Sequence, residues 1–340
     1  MSSSTARARP WPSIVFASLW VAATLFFAYQ AVTGARVFDG PATLPAIALG
    51  LACTLAFLWW LPGPKPPEAS GATHTRRVPF TLAVLAAAAA LLALYAALAW
   101  RLLWALPAVA LLVLLLLRSQ PARREVAYAL GLALVAAVAG LGHGAQPVPP
   151  VAWMAMQVPL VFLGLLAGWA LLRRSGLLQA GIGRSLLLTA GTGAAAKGAL
   201  QGMALALPWA LLNVAMGGGA GDEWARAWWA PLVALQPGIA EEAWGRVLLV
   251  SLLYLPLSRL GRTRIALAWA AIVAGYWFAF LHTQGSNPLS ALVSTLLIGT
   301  LYSLPLTYLW LRRGLEPAMG FHFAVDFLRF AAALLIRAGA

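Results

Sequence analysis

Charge is what this chain has least of. Only 9% of its 340 residues are Asp, Glu, Lys or Arg, where a soluble globular protein carries about 25%. With 62% hydrophobic residues and a mean hydropathy of +0.84, that deficit excludes a soluble fold and points to an integral membrane protein. The alternating pattern of a transmembrane β-barrel is also missing. Apolar runs of about 20 residues recur from end to end instead, which is the helical solution. Cysteine is reduced to Cys53, inside an apolar run, so no intrachain disulfide can form and the redox compartment stays unmarked. Acidic residues number nine against 23 basic ones, a net charge of +14. The basic residues gather in short loops between apolar runs, as orientation in a bilayer requires. The excess is therefore read as a topology signal with contact to anionic lipid, and nucleic acid is not expected as a partner.

What is present is a polytopic, all-α transmembrane helical bundle of about eleven helices. The first spans run from about Pro12 to Thr33 and Ala42 to Leu61. Arg7 and Arg9 precede an apolar stretch too long for a signal-peptide core, with no clear cleavage site, so a retained anchor is expected. Further spans are predicted near Phe80–Trp100, Leu102–Leu117, Val126–Leu141 and Val151–Leu172. The glycine-rich segment from Ser185 to Met216 reads as one tilted span or a broken one. A polar loop from Gly217 to Trp228 opens on three glycines and is expected to be mobile. Four spans close the chain: about Trp229–Leu257, Ile265–His282, Leu289–Leu311 and Pro317–Ile336. Every second loop is basic, which places the N-terminus in the cytoplasm, in what is expected to be a prokaryotic cytoplasmic membrane. Three segments follow: membrane helices of unassigned role over 1–184, the glycine-rich span and polar loop over 185–228, and a helical core over 229–336.

Ionisable residues inside a lipid-embedded helix cost roughly 2.5–3.5 kcal/mol each on insertion scales. Six of the nine acidic residues, Asp39, Glu68, Glu125, Asp222, Glu223 and Glu316, fall in predicted loops or at their edges. Glu241, Glu242 and Asp326 do not. With Arg246, His282 and His322 they form an ionisable set confined to the last four spans; Lys197 is an outlier with no assigned chemistry. Glu242 and Arg246 are four apart and can pair. Glu241 points about 100° away and can face another neighbour. Gly245 leaves room beside it for another helix or a substrate backbone. His322 and Asp326 share a face, as do Phe278 and His282.

Such a set can activate water. Carboxylate and imidazole together can exchange protons, and an arginine can hold the second carboxylate ionised. Two histidines and a glutamate (Glu241, His282 and His322) are alternatively a ligand set for zinc with one open position. Each cluster also has a plain structural reading: Glu242–Arg246 as an intrahelical pair, His282 as an interfacial residue, Asp326 as a partner for Arg329. Three clusters in three of four consecutive spans weaken those readings.

Glu241-Glu242-x-x-x-Arg246, Phe278-x-x-x-His282 and His322-x-x-x-Asp326 together resemble the three-motif signature of the CAAX prenyl protease and bacteriocin-processing (CPBP, or Abi) intramembrane proteases. The resemblance covers about Trp229 to Ile336. It implies an endopeptidase acting at or inside the bilayer on a peptide or protein precursor, which can be lipidated. It implies Glu241 as water activator helped by His282, with Glu242 in support, and His322 with Asp326 at the oxyanion. An aspartate stands where the family often has asparagine, so it must be protonated or orient His322. A metal-free glutamate mechanism fits the signature, with zinc as the alternative and no other cofactor. A proton-coupled transporter built on the same Glu/His set, or an inactive scaffold, are the competing readings. One difficulty is geometric. His282 lies about 25 Å along its span at 1.5 Å per residue, whereas His322 is near the start of its own. Either Arg313–Pro317 or Thr283–Pro288 is therefore expected to enter a protein-lined cavity.

Overall fold

The computed structural model describes residues 105–143, 149–215, 222, 224–259, 263–283 and 288–338. The first three predicted spans, most of the glycine-opened loop and residues 284–287 lie outside these, so the total of about eleven helices concerns more than the described part. Within it there is no strand, and five helical stretches are long and apolar enough to cross a membrane. They are Pro150–Arg174, Thr192–Ala215, Thr263–Leu281, Ala291–Arg313 and Leu315–Ile336. The glutamate helix, with three charged residues in six positions, is not one of them.

The helices follow local signals. α1 is Ala105–Leu116. α2, Arg123–Gly140, begins where the Ala122 N–H donates to Glu125 Oε2 at 3.0 Å, so the third helical residue caps its own helix. α3, Pro150–Arg174, opens on proline and closes on Arg173 and Arg174, cations suited to a helix C-terminus. Arg173 also pairs with Glu125, tying α3 to α2. The glycine-rich segment is the broken version: a one-turn α4, Leu186–Ala190, then Gly191 at φ 87°, then α5, Thr192–Ala215.

A 3-10 turn, Ala230–Ala234, leads into one long helix of three parts. These are α6 (Leu235–Glu242), a π-helical segment π1 (Ala243–Leu248) and α7 (Leu249–Ser258). α8 is Thr263–Leu281. The next span also has a π segment in its middle: α9 (Pro288–Ile298), π2 (Gly299–Ser303) and α10 (Leu304–Arg313). Gly314, at φ 109°, ends it, and α11, Leu315–Ala338, follows at once.

Lipid is as apolar as leucine, so helix association in a bilayer rests on close packing and hydrogen bonds. Both are visible here. α5 and α11 make the most extensive helix pair, and they touch backbone to backbone. A Cβ on Gly202 would lie 2.0 Å from the Pro317 carbonyl oxygen, and one on Gly320 would lie 2.1 Å from that of Ala199. α3 meets the glutamate helix in the same way, where a Cβ on Gly168 would come 2.5 Å from Val247 O. One continuous core takes in Leu165 and Trp169 of α3, Ala206 and Ala210 of α5, and Val247 and Leu248 of π1. It thus draws on all three of the segments read from the sequence.

The start of α11 is held by a carboxylate that the sequence places at a loop edge. Glu316 is buried. It accepts from Ser185 Oγ at 2.6 Å, Leu186 N at 2.8 Å, Leu187 N at 3.0 Å and the Tyr128 hydroxyl at 3.1 Å. The Leu315 N–H donates to Arg184 O at 2.9 Å. Residues 314–318 are all buried in protein, which is how α11 can begin inside the molecule and bring His322 to depth within one further turn or two.

Candidate active site

The motif helix changes pitch at the motif. α6 ends at Glu242, and π1 begins at the next residue. A π segment widens one turn and is frequent at functional sites. Here it turns Glu242 and Arg246 fully inward. Glu242 is 0% exposed and Arg246 1%, and their charges are 3.2 Å apart. The guanidinium donates from one nitrogen to Ser303 Oγ at 3.0 Å. Its central carbon lies 4.1 Å from the centroid of the Phe278 ring, a favourable cation–π placement. Both π segments therefore meet at one ion pair, because Ser303 closes π2. A buried charge without a partner costs several kcal/mol. Glu242, Arg246, Ser303 and Phe278 answer that cost for one another.

Glu241 faces the other way. Its Oε2 lies 3.8 Å from His282 Nε2 and 3.5 Å from His322 Nε2, and that oxygen makes no hydrogen bond in the protein. His322 Nδ1 lies 2.8 Å from Glu242 Oε1, and its Nε2 also lies 3.4 Å from Asp326 Oδ2. The two glutamates do face different surroundings, as their 100° offset implies. Unforeseen in the sequence, His322 reaches both through opposite ring nitrogens. The alternative partner for Asp326 is engaged elsewhere: Arg329 donates to both oxygens of Asp222, at 2.6 and 2.9 Å.

Hydrogen bonding fixes the proton positions. His282 Nδ1 lies 2.9 Å from the Phe278 carbonyl oxygen. A carbonyl only accepts, so Nδ1 carries the proton; in the neutral ring the lone pair on Nε2 then points at Glu241. His322 has carboxylates at both ring nitrogens. Carboxylates also only accept, so Nδ1 donates to Glu242, while Nε2 faces Asp326 at 3.4 Å and Glu241 at 3.5 Å. The site thus sets Glu241 and His282 face to face beside a ring that stands among three carboxylates. Phe278 holds the group together, with ring centroids 4.6 Å from His282 and 6.0 Å from His322.

Gly245 plays a smaller part than its spacing implies. A Cβ there would meet only Phe278, at an ordinary 3.7 Å. The close approach is at Gly238, where a Cβ would lie 3.2–3.3 Å from the backbone of Phe323 in α11. This contact, one turn before Glu241, sets the distance between the glutamates and His322.

These groups open onto a cavity of about 410 Å³. Besides Glu241, Phe278, His282, His322 and Asp326, it is lined by Asn213, Gln236, Tyr302, His143, Asp222 and Arg329. Sequence reasoning places none of the six at the site; it reads Asp222 as a loop residue and Arg329 as a partner for Asp326. Gln236 was visible as a lone carboxamide in an apolar span. Tyr302 was not, since an aromatic in such a span reads as packing. At the far end His143 stacks on Trp224, ring centroids 4.5 Å apart. Burial pushes the His143 imidazole below its ordinary pKa, so it is neutral at pH 7. Glu241, His282 and His322, the zinc set considered above, converge on one oxygen. Among the described residues, however, no group of three or more His, Cys, Asp or Glu is arranged to hold a metal ion.

Residues 223–328 match the family model described as type II CAAX prenyl endopeptidase Rce1-like. No curated protein and no solved structure matches the chain. The matched region contains all three motifs and every residue of the Glu241–His282–His322–Asp326 cluster, and over it the chain is similar to the CAAX protease family.

Proposed function

We propose that this protein is an intramembrane endopeptidase that hydrolyses a peptide bond in a membrane-associated precursor, lipidated or not, with a water activated by Glu241 and His282. One observation carries the reading. Glu241 Oε2 stands 3.8 Å and 3.5 Å from two imidazole nitrogens, within a cavity large enough for a peptide segment. Those separations exceed a hydrogen bond but suit a single bridging water.

A water between Glu241 Oε2 and His282 Nε2 finds an acceptor on each side, so each of its hydrogens is held by one of them and a lone pair is left for attack. The water oxygen bonds to the carbonyl carbon as Glu241 takes one proton. The carbonyl electron pair moves onto oxygen, giving a tetrahedral oxyanion. When the pair returns, the C–N bond breaks and the amine leaves with the proton that Glu241 held. A carboxylic acid and an amine result. Glu242 holds His322 through Nδ1 and is itself held by Arg246; Asp326 orients the same ring from the other side. Asp326 thus serves as an orienting group and needs no proton of its own.

Cleavage of a fluorogenic peptide by the purified full-length protein tests this. Glu241→Gln is expected to abolish turnover and His282→Ala to reduce it by about 10²–10⁴-fold, the range of a lost acid–base group. Full turnover by Glu241→Gln sinks the assignment. Loss on chelation with recovery on added zinc moves the mechanism to metal.

A further inference from the structure

We propose that Tyr302 is a further catalytic residue, its phenolic O–H donating a hydrogen bond to the oxyanion of the tetrahedral intermediate. This rests on the endopeptidase reading. It starts from a shortage at the site: the groups already assigned are rich in acceptors and poor in unspent donors. Glu241, Glu242 and Asp326 only accept when ionised. His282 spends its Nδ1 proton on the Phe278 carbonyl and presents a lone pair to the cavity. His322 faces carboxylates with both nitrogens. Arg329 spends two N–H groups on Asp222. Arg246 is 1% exposed, bonded to Ser303 and stacked on Phe278 behind the glutamates.

An oxyanion needs a donor aimed where its charge develops, and removing one such donor typically costs about 10²–10³ in kcat. Tyr302 lines the same cavity as Glu241, His322 and Asp326. It lies within electrostatic range of Asp326 and Arg329. No hydrogen bond among the described residues holds its hydroxyl.

Its backbone is fixed on two sides. Ser303, the next residue, is bonded to Arg246. Thr300, in the same π segment, lies 2.9 Å from the hydroxyl of Tyr276 on α8, the helix that ends beside His282. Gly299 lets that contact close, since a Cβ there would come 2.3 Å from the Tyr276 ring. A donor anchored both to the glutamate helix and to the helix that ends beside His282 costs no reorganisation when charge develops. In the step itself, the water oxygen bonds to carbon, its proton goes to Glu241, and the carbonyl electron pair moves onto oxygen. The Tyr302 O–H bond stays intact throughout. It donates to that oxygen until the pair returns and the amine leaves with the proton from Glu241.

The experiment compares Tyr302→Phe, Gln236→Leu and Glu241→Gln in the full-length protein. It reads kcat, KM, melting temperature and inhibition by a phosphinic peptide that mimics the tetrahedral intermediate. Tyr302→Phe is expected to lower kcat by about 10²-fold, to leave KM within about twofold and melting unchanged, and to weaken the phosphinic peptide in step with kcat. Turnover within about threefold of wild type overturns the proposal. So does a loss shared between KM and melting temperature, or a kcat loss confined to Gln236→Leu. If the wild type does not cleave, or Glu241→Gln cleaves as well as wild type, the endopeptidase reading falls and Tyr302 with it. A dead Glu241→Gln beside an active Tyr302→Phe removes Tyr302 alone.

Discussion

Two carboxylates in this bundle, the buried Glu316 and the partly buried Glu241, have opposite surroundings. Glu316 gathers four donors, from Ser185, Leu186, Leu187 and Tyr128, all between 2.6 and 3.1 Å. It closes the N-terminus of α4 and fixes the first turn of α11. Glu241 gathers no donor on Oε2 and faces two imidazole nitrogens at distances too long for direct bonds. A satisfied carboxylate resists change, whereas one left beside a second base in an open cavity can trade protons. Burial alone therefore does not mark function; the character of the neighbours does.

The comparison breaks most sharply at Arg246. Arg246→Met leaves Glu242 buried with its cation gone, the situation that costs about 3–5 kcal/mol. Thermal melting in detergent should show a large loss, and cleavage should vanish with the fold. A double variant, Arg246→Met with Glu242→Leu, should recover much of the melting temperature but none of the activity. Next comes the pair itself. Glu316→Gln should destabilise by about 1–3 kcal/mol, since an amide cannot accept all four bonds, while the folded fraction cleaves at its full rate. Glu241→Gln should do the reverse, losing turnover with little change in melting. If both variants lose stability and keep specific activity, the division is wrong.

A third variant addresses the distance between helices. Gly202→Ala puts a methyl where Pro317 O now lies, and overpacking of this kind costs about 1–3 kcal/mol. Because α11 carries His322, turnover should fall further than the melting temperature alone explains. Smallest of all, Gly245→Ala meets only Phe278 at van der Waals distance. It should change stability by less than about 1 kcal/mol and leave kcat unaltered. A large loss there would restore the role that the sequence assigned to this glycine.

Much of the site was legible because the cost of charge in lipid makes its residues conspicuous. Glu241, Glu242, Arg246, His282, His322 and Asp326 stand out against apolar runs, and helical spacing pairs them correctly within each helix. The helix limits also follow: the last four spans differ from the predicted ones by a few residues at each end. What was not legible is long-range or geometric. Asp222 and Glu316 look like solvated loop residues because charges and turn formers flank them. Their partners lie 107 and up to 188 residues away. Asp326 and Arg329, three apart, suggested each other, and each found a different partner. Neither π segment has a sequence mark, since an apolar run reads the same at either pitch. The polar lining of the cavity, Tyr302 above all, hides among residue types that normally pack.

The π segment after Glu242 also bears on how such a helix tolerates insertions and deletions. A π segment is one residue more than a regular helix needs over the same rise. Deleting one residue between Ala243 and Leu248 would leave a continuous, well-bonded helix of ordinary pitch. It would leave the α7 face in place, because a π segment absorbs its extra residue within one wide turn. Where the residue lost lies before Arg246, that guanidinium comes three positions after Glu242 instead of four and leaves Ser303 and Phe278. This short stretch thus works as a slack turn that places the ion pair without disturbing the helix on either side. A homologue shortened here could keep every other residue of the site and still lose the pair.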